Sequence, residues 1–527
     1  MSGQRSLLMK GTTLPANRVR LPDLLRVSSM LSDRSTSVCG QTRLLRTLSG
    51  SLASVVAIAA LAVGPEASAQ SPELMKKLNE PWSRVTEPSR SATRLFTAYL
   101  DMTKPPQEVG EEFNLKTIYP GMEGFEAVSK WAADNGNMGK ALIELQNCQV
   151  LGVPYGTEGV DSKFVERGLV AIIAPGGDLT RVEFPYLKAL DAIAAYVSAD
   201  MYRLCEAGKF DEAFAIGVAH LRVMRQAVDA HMLEEKRFSM TMLADAMSVH
   251  RDIIYTYKDK LGIDLLRKLA TKEYPFLKPT DNERLRRISI PEGDLLVAGE
   301  LLRSVFDDSG QADQTSFATT FSSMQSRGEP LTGFGAAKRW ERVAGVHGSL
   351  DASGIKMNAI YDDWWRRWRM RPFDPMMSLP TEFSVVNPVK YAAVVFAIRD
   401  IETLFDLRRR LVSEFCGLVS GAGLCGYRLQ FEDWPNDIEK SYARFFPKRF
   451  DFDPYDRQYG RMRYEYLGTR ERGVESEFGR LEVTGCILYA RNDDGEFDAA
   501  SRHAEGGKIG DFVVWPPLRA VSRGQGQ

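Results

Sequence analysis

The spacing of hydrophobic and polar positions changes several times along the chain. Between Ser71 and about Thr180 apolar residues are scattered and interrupted by Pro and Gly, apart from Leu169-Val170-Ala171-Ile172-Ile173, which predicts a short strand. The turn residues Pro175-Gly176-Gly177-Asp178 then fold Arg181-Val182-Glu183-Phe184 back against it. From Phe184 the period becomes helical. Leu187, Leu190, Ala194, Val197, Met201 and Leu204 recur at steps of three and four, and after Glu206-Ala207-Gly208-Lys209 the stripe resumes with Phe210, Phe214, Gly217, Leu221, Met224 and Val228. This predicts two antiparallel helices joined by a tight glycine turn. Met242, Ala246, Val249 and Ile253 mark a third helix, and Leu261 to Lys272 a fourth.

The segment from Asp307 to Gly335 is rich in Ser, Thr and Gly and predicts a long loop or lid. Tyr361 to Arg369 interleaves aromatics with arginines, which can stack on bases or sit at a membrane surface; the preferred reading is a helix that buries Trp364, Trp365 and Trp368 on one face and leaves the arginines solvated. Asn387 and Pro388 suit the cap and first position of a helix, and Val394, Ile398, Ile401, Phe405, Val412, Phe415 and Val419 continue it as one stripe. Such a helix runs for about 45 Å and is expected to end in the glycines at 417, 421 and 423. The fold class expected is mainly α with a small α+β C-terminal domain: helical hairpins followed by a long helix and a short antiparallel sheet. The corresponding divisions are a leader over 1–69, a mixed region over 70–180, a helical hairpin domain over 181–280, an irregular and helical linking region over 281–387, the long helix with its sheet over 388–518, and a disordered tail over 519–527.

A chain of 527 residues exceeds what one hydrophobic core usually supports. The charge is balanced, with 68 Lys and Arg against 69 Asp and Glu, which argues against nucleic acid as a partner. Arg43 and Arg46 precede the apolar run Leu52 to Val63, which leads to Ala67-Ser68-Ala69, the pattern of a cleaved export signal. The run is shorter than the roughly 20 residues a membrane span needs, so no stable span is expected after cleavage. An organelle transit peptide and a short anchor are the competing readings. The expected address is periplasmic or cell-envelope. Five cysteines remain beyond the leader, and Cys416 and Cys425 flank a segment that either closes as a local disulfide or buries both thiols.

The C-terminal order Gly426-Tyr427-Arg428, Trp434-Pro435, Asp453-Pro454-Tyr455, Arg463-Tyr464-Glu465-Tyr466 and Asn492-Asp493-Asp494-Gly495 resembles the globular domain of type II secretion pseudopilins. It is also similar to exported planctomycete-type proteins in which such a tail follows a helical region. No pilin leader precedes Pro388, so the resemblance implies a fold and not assembly into a pseudopilus. Asn492, Asp493, Asp494 and Asp498 place oxygen donors within seven residues of a chain that Gly495 lets turn, which suits calcium. Ala490 and Ser501 replace the first and last ligands of a calcium-binding hand. The pseudopilin resemblance adds Asp511, just before the final strand, as the residue completing the site. A plain Asp-Gly turn without metal accounts for the same residues.

No nucleophile elbow, phosphate loop or dinucleotide fingerprint occurs, and the five histidines have no metal-ligand spacing. His220 and His250 fall in helical stretches and read as packed or surface residues and not as ligands. The expected function is therefore that of an exported, envelope-associated, non-catalytic binding or structural protein with an envelope protein partner. The alternative is an exported hydrolase that uses a pair of carboxylates beneath the lid.

Overall fold

The computed structural model describes residues 72–106, 113–275, 288–328, 336–370, 374–458, 460–504 and 508–526, so the leader over 1–69 lies outside the described residues. Five helices open the fold: α1 (Pro72–Ser83), α2 (Ala92–Leu100), α3 (Phe125–Asp134), α4 (Gly136–Leu145) and α5 (Ser162–Glu166). The two short strands appear where the turn chemistry puts them, β1 (Ile172–Ile173) pairing antiparallel with β2 (Val182–Glu183). The central hairpin is α6 (Leu187–Glu206) and α7 (Phe210–Ala227), with Gly208 at φ +73° supplying the left-handed residue between them. The third helix, α8 (Leu233–Thr256), packs against both. Its first turn is capped from another element: Asp294 accepts a hydrogen bond of 2.6 Å from the Leu233 amide. The fourth, α9 (Ile263–Lys268), is shorter than expected and widens into a π turn over Leu269–Glu273.

Beyond α10 (Glu292–Ser304), the segment expected as a lid instead contains a helix, α11 (Gln314–Gly328). Phe317 and Phe321 explain the difference, because both are fully buried against Trp340 of α12 (Ala336–Ala344). Two aromatics at helical spacing outweigh the low helix propensity of their Ser and Thr neighbours. Helix α13 (Leu350–Arg369) buries Trp364 and Trp368 as expected. Trp365 lies off that face, half-buried, with its indole N–H on Glu292.

The long helix departs from expectation at both ends. Asn387 caps a turn, accepting from the amides of Val389 and Lys390 at 3.0 and 2.9 Å. A short helix, α14 (Ala392–Ala397), follows and breaks off, and the long helix α15 (Glu402–Phe431) starts afresh with Asp400 accepting from the Glu402 amide. It then continues through the glycines that were expected to end it. A Cβ at Gly417 would stand 2.8 Å from the Val514 side chain, and one at Gly421 2.8 Å from the Trp515 ring. These glycines therefore form a close-approach face on which the last strand lies. Continuity of the helix also rules out the local disulfide: nine residues of helix separate Cys416 from Cys425 by about 13 Å, beyond any disulfide's reach. Cys148, Cys205, Cys416, Cys425 and Cys486 are all free thiols, and all but Cys148 are buried.

The C-terminal sheet has the order β3-β4-β7, all antiparallel: β3 (Arg463–Ser476), β4 (Gly479–Ala490) and β7 (Phe512–Trp515). A small pair, β5 (His503–Ala504) and β6 (Lys508–Ile509), sits in the connection before β7. Alternation along β4 sends Cys486, Leu488 and Ala490 into the core shared with the helices, and Leu481, Val483, Ile487 and Tyr489 into a second cluster on the other face. That second cluster is closed by α16 (Leu518–Gln525), the segment expected as a disordered tail. Leu518 and Val521 bury against the sheet, and Arg519 reaches Asp252 of α8. No helix among the described residues is long and apolar enough to cross a membrane.

Two glycine substitutions separate helix propensity from close approach. Gly354→Ala in α13, where a new Cβ meets nothing within 4 Å, is expected to stabilise by about 0.5–1 kcal/mol. Gly421→Ala is expected to destabilise by about 1–3 kcal/mol despite the same propensity gain, because Trp515 must move. Urea denaturation of both variants checks the opposite signs.

Candidate functional site

The acidic loop predicted to bind a cation follows β4. Gly495, at φ +74°, closes its first turn by donating 2.8 Å to the Asn492 carbonyl, and Asp494 accepts from the Glu496 amide. Asn492 donates to the Gly510 carbonyl at 3.1 Å and so ties the loop to the residue before Asp511. Asp511 is the hub. One carboxylate oxygen accepts from the amides of Asp498 and Ala500 at 2.9 and 2.7 Å, while the other is buried without a hydrogen-bond partner. Its pKa is pushed up to about 6, first by burial and then by the nearby Asp498 and Asp494 carboxylates, against the two amide bonds.

The structure thus brings Asn492, Asp494, Asp498 and Asp511 into one loop system. Asp493 turns away and pairs with Arg409 of α15 at 3.1 Å. Ala499 and Ala500 are both left-handed, at φ +56° and +62°, a conformation Asp511 holds by its bond to Ala500. The donors are all oxygen, which is the chemistry of a hard cation, and Asp511 has a spare buried oxygen for one. Among the described residues no group of three or more His, Cys, Asp or Glu side chains is placed so that it could hold a metal ion.

A second arrangement was not apparent from the sequence. Along α8, Asp245, Ser248 and Asp252 fall on one helical face beside the apolar stripe. Asp245 pairs with Arg410 of α15 at 2.6 Å and with Lys116 at 3.2 Å. Asp252 takes Arg519 at 2.5 Å and Arg523 at 3.7 Å. Arg251 bridges Glu414 of α15 and the Val514 carbonyl of β7, with both ionic side chains buried. All of these but Arg523 and Val514 line a polar cleft of about 130 Å³. Through Arg410 it adjoins an open groove of about 540 Å³ between the first halves of α8 and α15, floored by Phe238, Met242, Leu407 and Tyr455 and edged by Arg237 and Asp406. The sequence signal was available: charged residues in the middle of a long apolar helix, where an unpaired charge is costly.

Another strongly perturbed carboxyl group lies elsewhere. Glu235 is buried and accepts hydrogen bonds from Tyr155 at 2.7 Å and Tyr186 at 2.5 Å, and burial pushes its pKa up to about 7. Tyr155 also accepts from the His231 amide, so this node fastens the N-terminal helices to the start of α8. The void beside it is about 10 Å³, too small for a substrate. Lys236 next to it donates only to the Val228 carbonyl, and burial pushes it down to about 8. His220 and His250 are both buried, held down to about 4 and about 3 by burial.

No protein-family model matches this chain, and no curated protein or solved structure does so.

The Glu235 node sets a pH dependence with a defined sign. Its folded pKa of about 7 lies above the ordinary 4.5, so its contribution is full below about pH 4.5 and is lost as pH rises through about 7. The buried histidines act in the opposite sense: their stabilisation is full above about pH 6.5 and is lost as pH falls through about 4. In the difference between wild type and Glu235→Gln the histidines cancel. That difference is expected to fall by about 2–3 kcal/mol between pH 5 and pH 8, measured by urea denaturation at each pH.

Proposed function

We propose that the protein is an exported, envelope-associated binding protein without a catalytic role, whose C-terminal domain is braced by calcium and whose groove between α8 and α15 receives an envelope protein partner. The observation that carries this reading is the pairing in the polar cleft. Asp245, Asp252, Glu414 and Glu477 each face at least one Arg or Lys within ion-pair distance. A general acid or base must exchange a proton with substrate, and carboxylates committed to guanidinium groups on neighbouring elements are arranged for structure. This weighs against a two-carboxylate hydrolase.

The groove supports binding by its composition, an apolar floor with Arg237, Asp406 and Arg410 at its rim. An apolar centre with a charged rim suits a protein surface. Export rests on the apolar run and small-residue pattern of the leader. The buried thiols are compatible with an oxidising compartment, because burial pushes Cys205 and Cys425 up to about 12, where they stay protonated and inert.

Calcium is supported by the oxygen donors around Asp511 and by its unpartnered buried oxygen. At saturating calcium, relative to chelator, the unfolding free energy is expected to rise by about 2–3 kcal/mol, and Asp494→Ala and Asp498→Ala are each expected to reduce the rise. An identical melting curve in calcium and chelator would sink the metal. For the partner, crosslinking and pull-down from the native envelope is expected to recover a protein that Arg237→Glu with Phe238→Asp no longer captures. Turnover of a wall polymer or peptide, with no specific partner recovered, would instead establish the hydrolase.

A further inference from the structure

Eight large hydrophobic residues are conspicuously exposed among the described residues, and six of them fall between 346 and 389. Val346, Ile355, Leu379, Val385 and Val389 are 51–72% exposed, and Met376 is 37% exposed. Four of the six stand on one segment, the strap over 374–391 that links α13 to α14. Scattered single exposures need no explanation, but four on one strap of 18 residues call for one.

The strap is fixed by its backbone. Arg367 and Asp363 of α13 form a buried ion pair at 2.9 Å, and Arg367 also donates to the carbonyls of Met376 and Pro380, both at 3.0 Å. Asp363 accepts from the Glu382 amide at 3.1 Å, and Lys356 holds the Glu382 side chain at 3.2 Å. Phe383 turns inward onto Trp364, with ring centroids 5.6 Å apart. At the far end the Lys390 carbonyl accepts from the Gly348 amide at 2.8 Å, which sets Val389 beside the Val346 corner. A buried ion pair thus spends its remaining hydrogen bonds on main-chain groups and holds the apolar side chains outward in water.

The segments that carry this face have a modest basic excess. Between residues 336 and 391 there are nine Lys and Arg against six Asp and Glu, in a chain whose total is −1. Lys338, Arg339 and Arg342 are exposed on α12 leading to Val346, Arg366 and Arg369 on α13, and Lys390 on the strap itself. The apolar tips are separated by polar residues such as Ser378, Ser384 and Asn387. A rigid protein partner must match each such tip with a pocket, whereas fluid lipid admits them singly.

We propose that this strap face docks on an anionic lipid surface, with Leu379, Val385, Val389 and Val346 entering the headgroup region and the neighbouring lysines and arginines meeting lipid phosphates. The face is separate from the groove, and the proposal does not depend on a protein partner.

The test is co-sedimentation of the full-length chain with vesicles of equal parts phosphatidylglycerol and phosphatidylcholine, and with phosphatidylcholine alone. All variants share the apolar run at 52–63, so the reading is the difference between matched chains. Val385→Asp with Val389→Asp is expected to weaken binding to anionic vesicles about tenfold, and Lys338→Glu with Arg342→Glu to remove its salt-sensitive part. Both pairs are exposed, so melting temperatures should match wild type and exclude unfolding as the cause. Variants that bind as wild type does, or binding indifferent to phosphatidylglycerol, would overturn the proposal. A dimer dissolved by Val385→Asp with Val389→Asp in sedimentation velocity, without vesicle binding, would also overturn it and make this a self-association face.

Discussion

The close approach of β7 to the glycine face of α15 is the constraint on which the C-terminal half depends. Without side chains at 417 and 421, the strand's Val514 and Trp515 lie directly on the helix. That contact brings the Val514 carbonyl within reach of Arg251, and Arg251 in turn meets Glu414 one turn before Gly417. Three elements distant in sequence meet at one guanidinium. Burying such an ion pair carries a desolvation cost of several kcal/mol, which is offset only when geometry and further hydrogen bonds are good. The carbonyl of β7 supplies one of those bonds, so the pair acts as a register pin between the helical body and the sheet.

The same logic organises the neighbouring charges. Asp252 is next to Arg251 on α8, and its arginines come from α16, which closes the far face of the sheet. Asp245, two turns earlier, ties α15 to the N-terminal region through Arg410 and Lys116. Each acid is therefore a junction between elements. This accounts for so polar a cleft at the centre of the molecule, and for the apolar groove opening where the charged layer ends.

The parts legible in the sequence are those that local pattern controls. The α6–α7 hairpin follows from an uninterrupted three- and four-residue stripe with Gly208 at the turn, and β1–β2 from the Pro-Gly-Gly-Asp turn. Asp511, before the last strand, was suggested by the pseudopilin resemblance and not by local pattern; it accepts from the Asp498 amide, while Asn492 bonds the adjacent Gly510 carbonyl. Nonlocal contacts defeated the rest. Gly417 and Gly421 read as helix breakers because their reason for being glycine is a strand about a hundred residues later. A Ser- and Thr-rich stretch became α11 because Phe317 and Phe321 had Trp340 to pack on, and the supposed loose tail became α16 because Arg519 and Arg523 had Asp252 to reach. Nothing local announces a partner of that kind.

If the glycine face and the Arg251 pin join body and sheet into one cooperative unit, native-state hydrogen exchange reports it directly. The amides of Val514 and Trp515 should then open with the same free energy, and the same denaturant dependence, as those in the middle of α8 around Val249 and Ile253. Exchange of the β7 amides through an opening several kcal/mol below that of α8 would show that the sheet is an independent module resting on the helices, and would contradict this account.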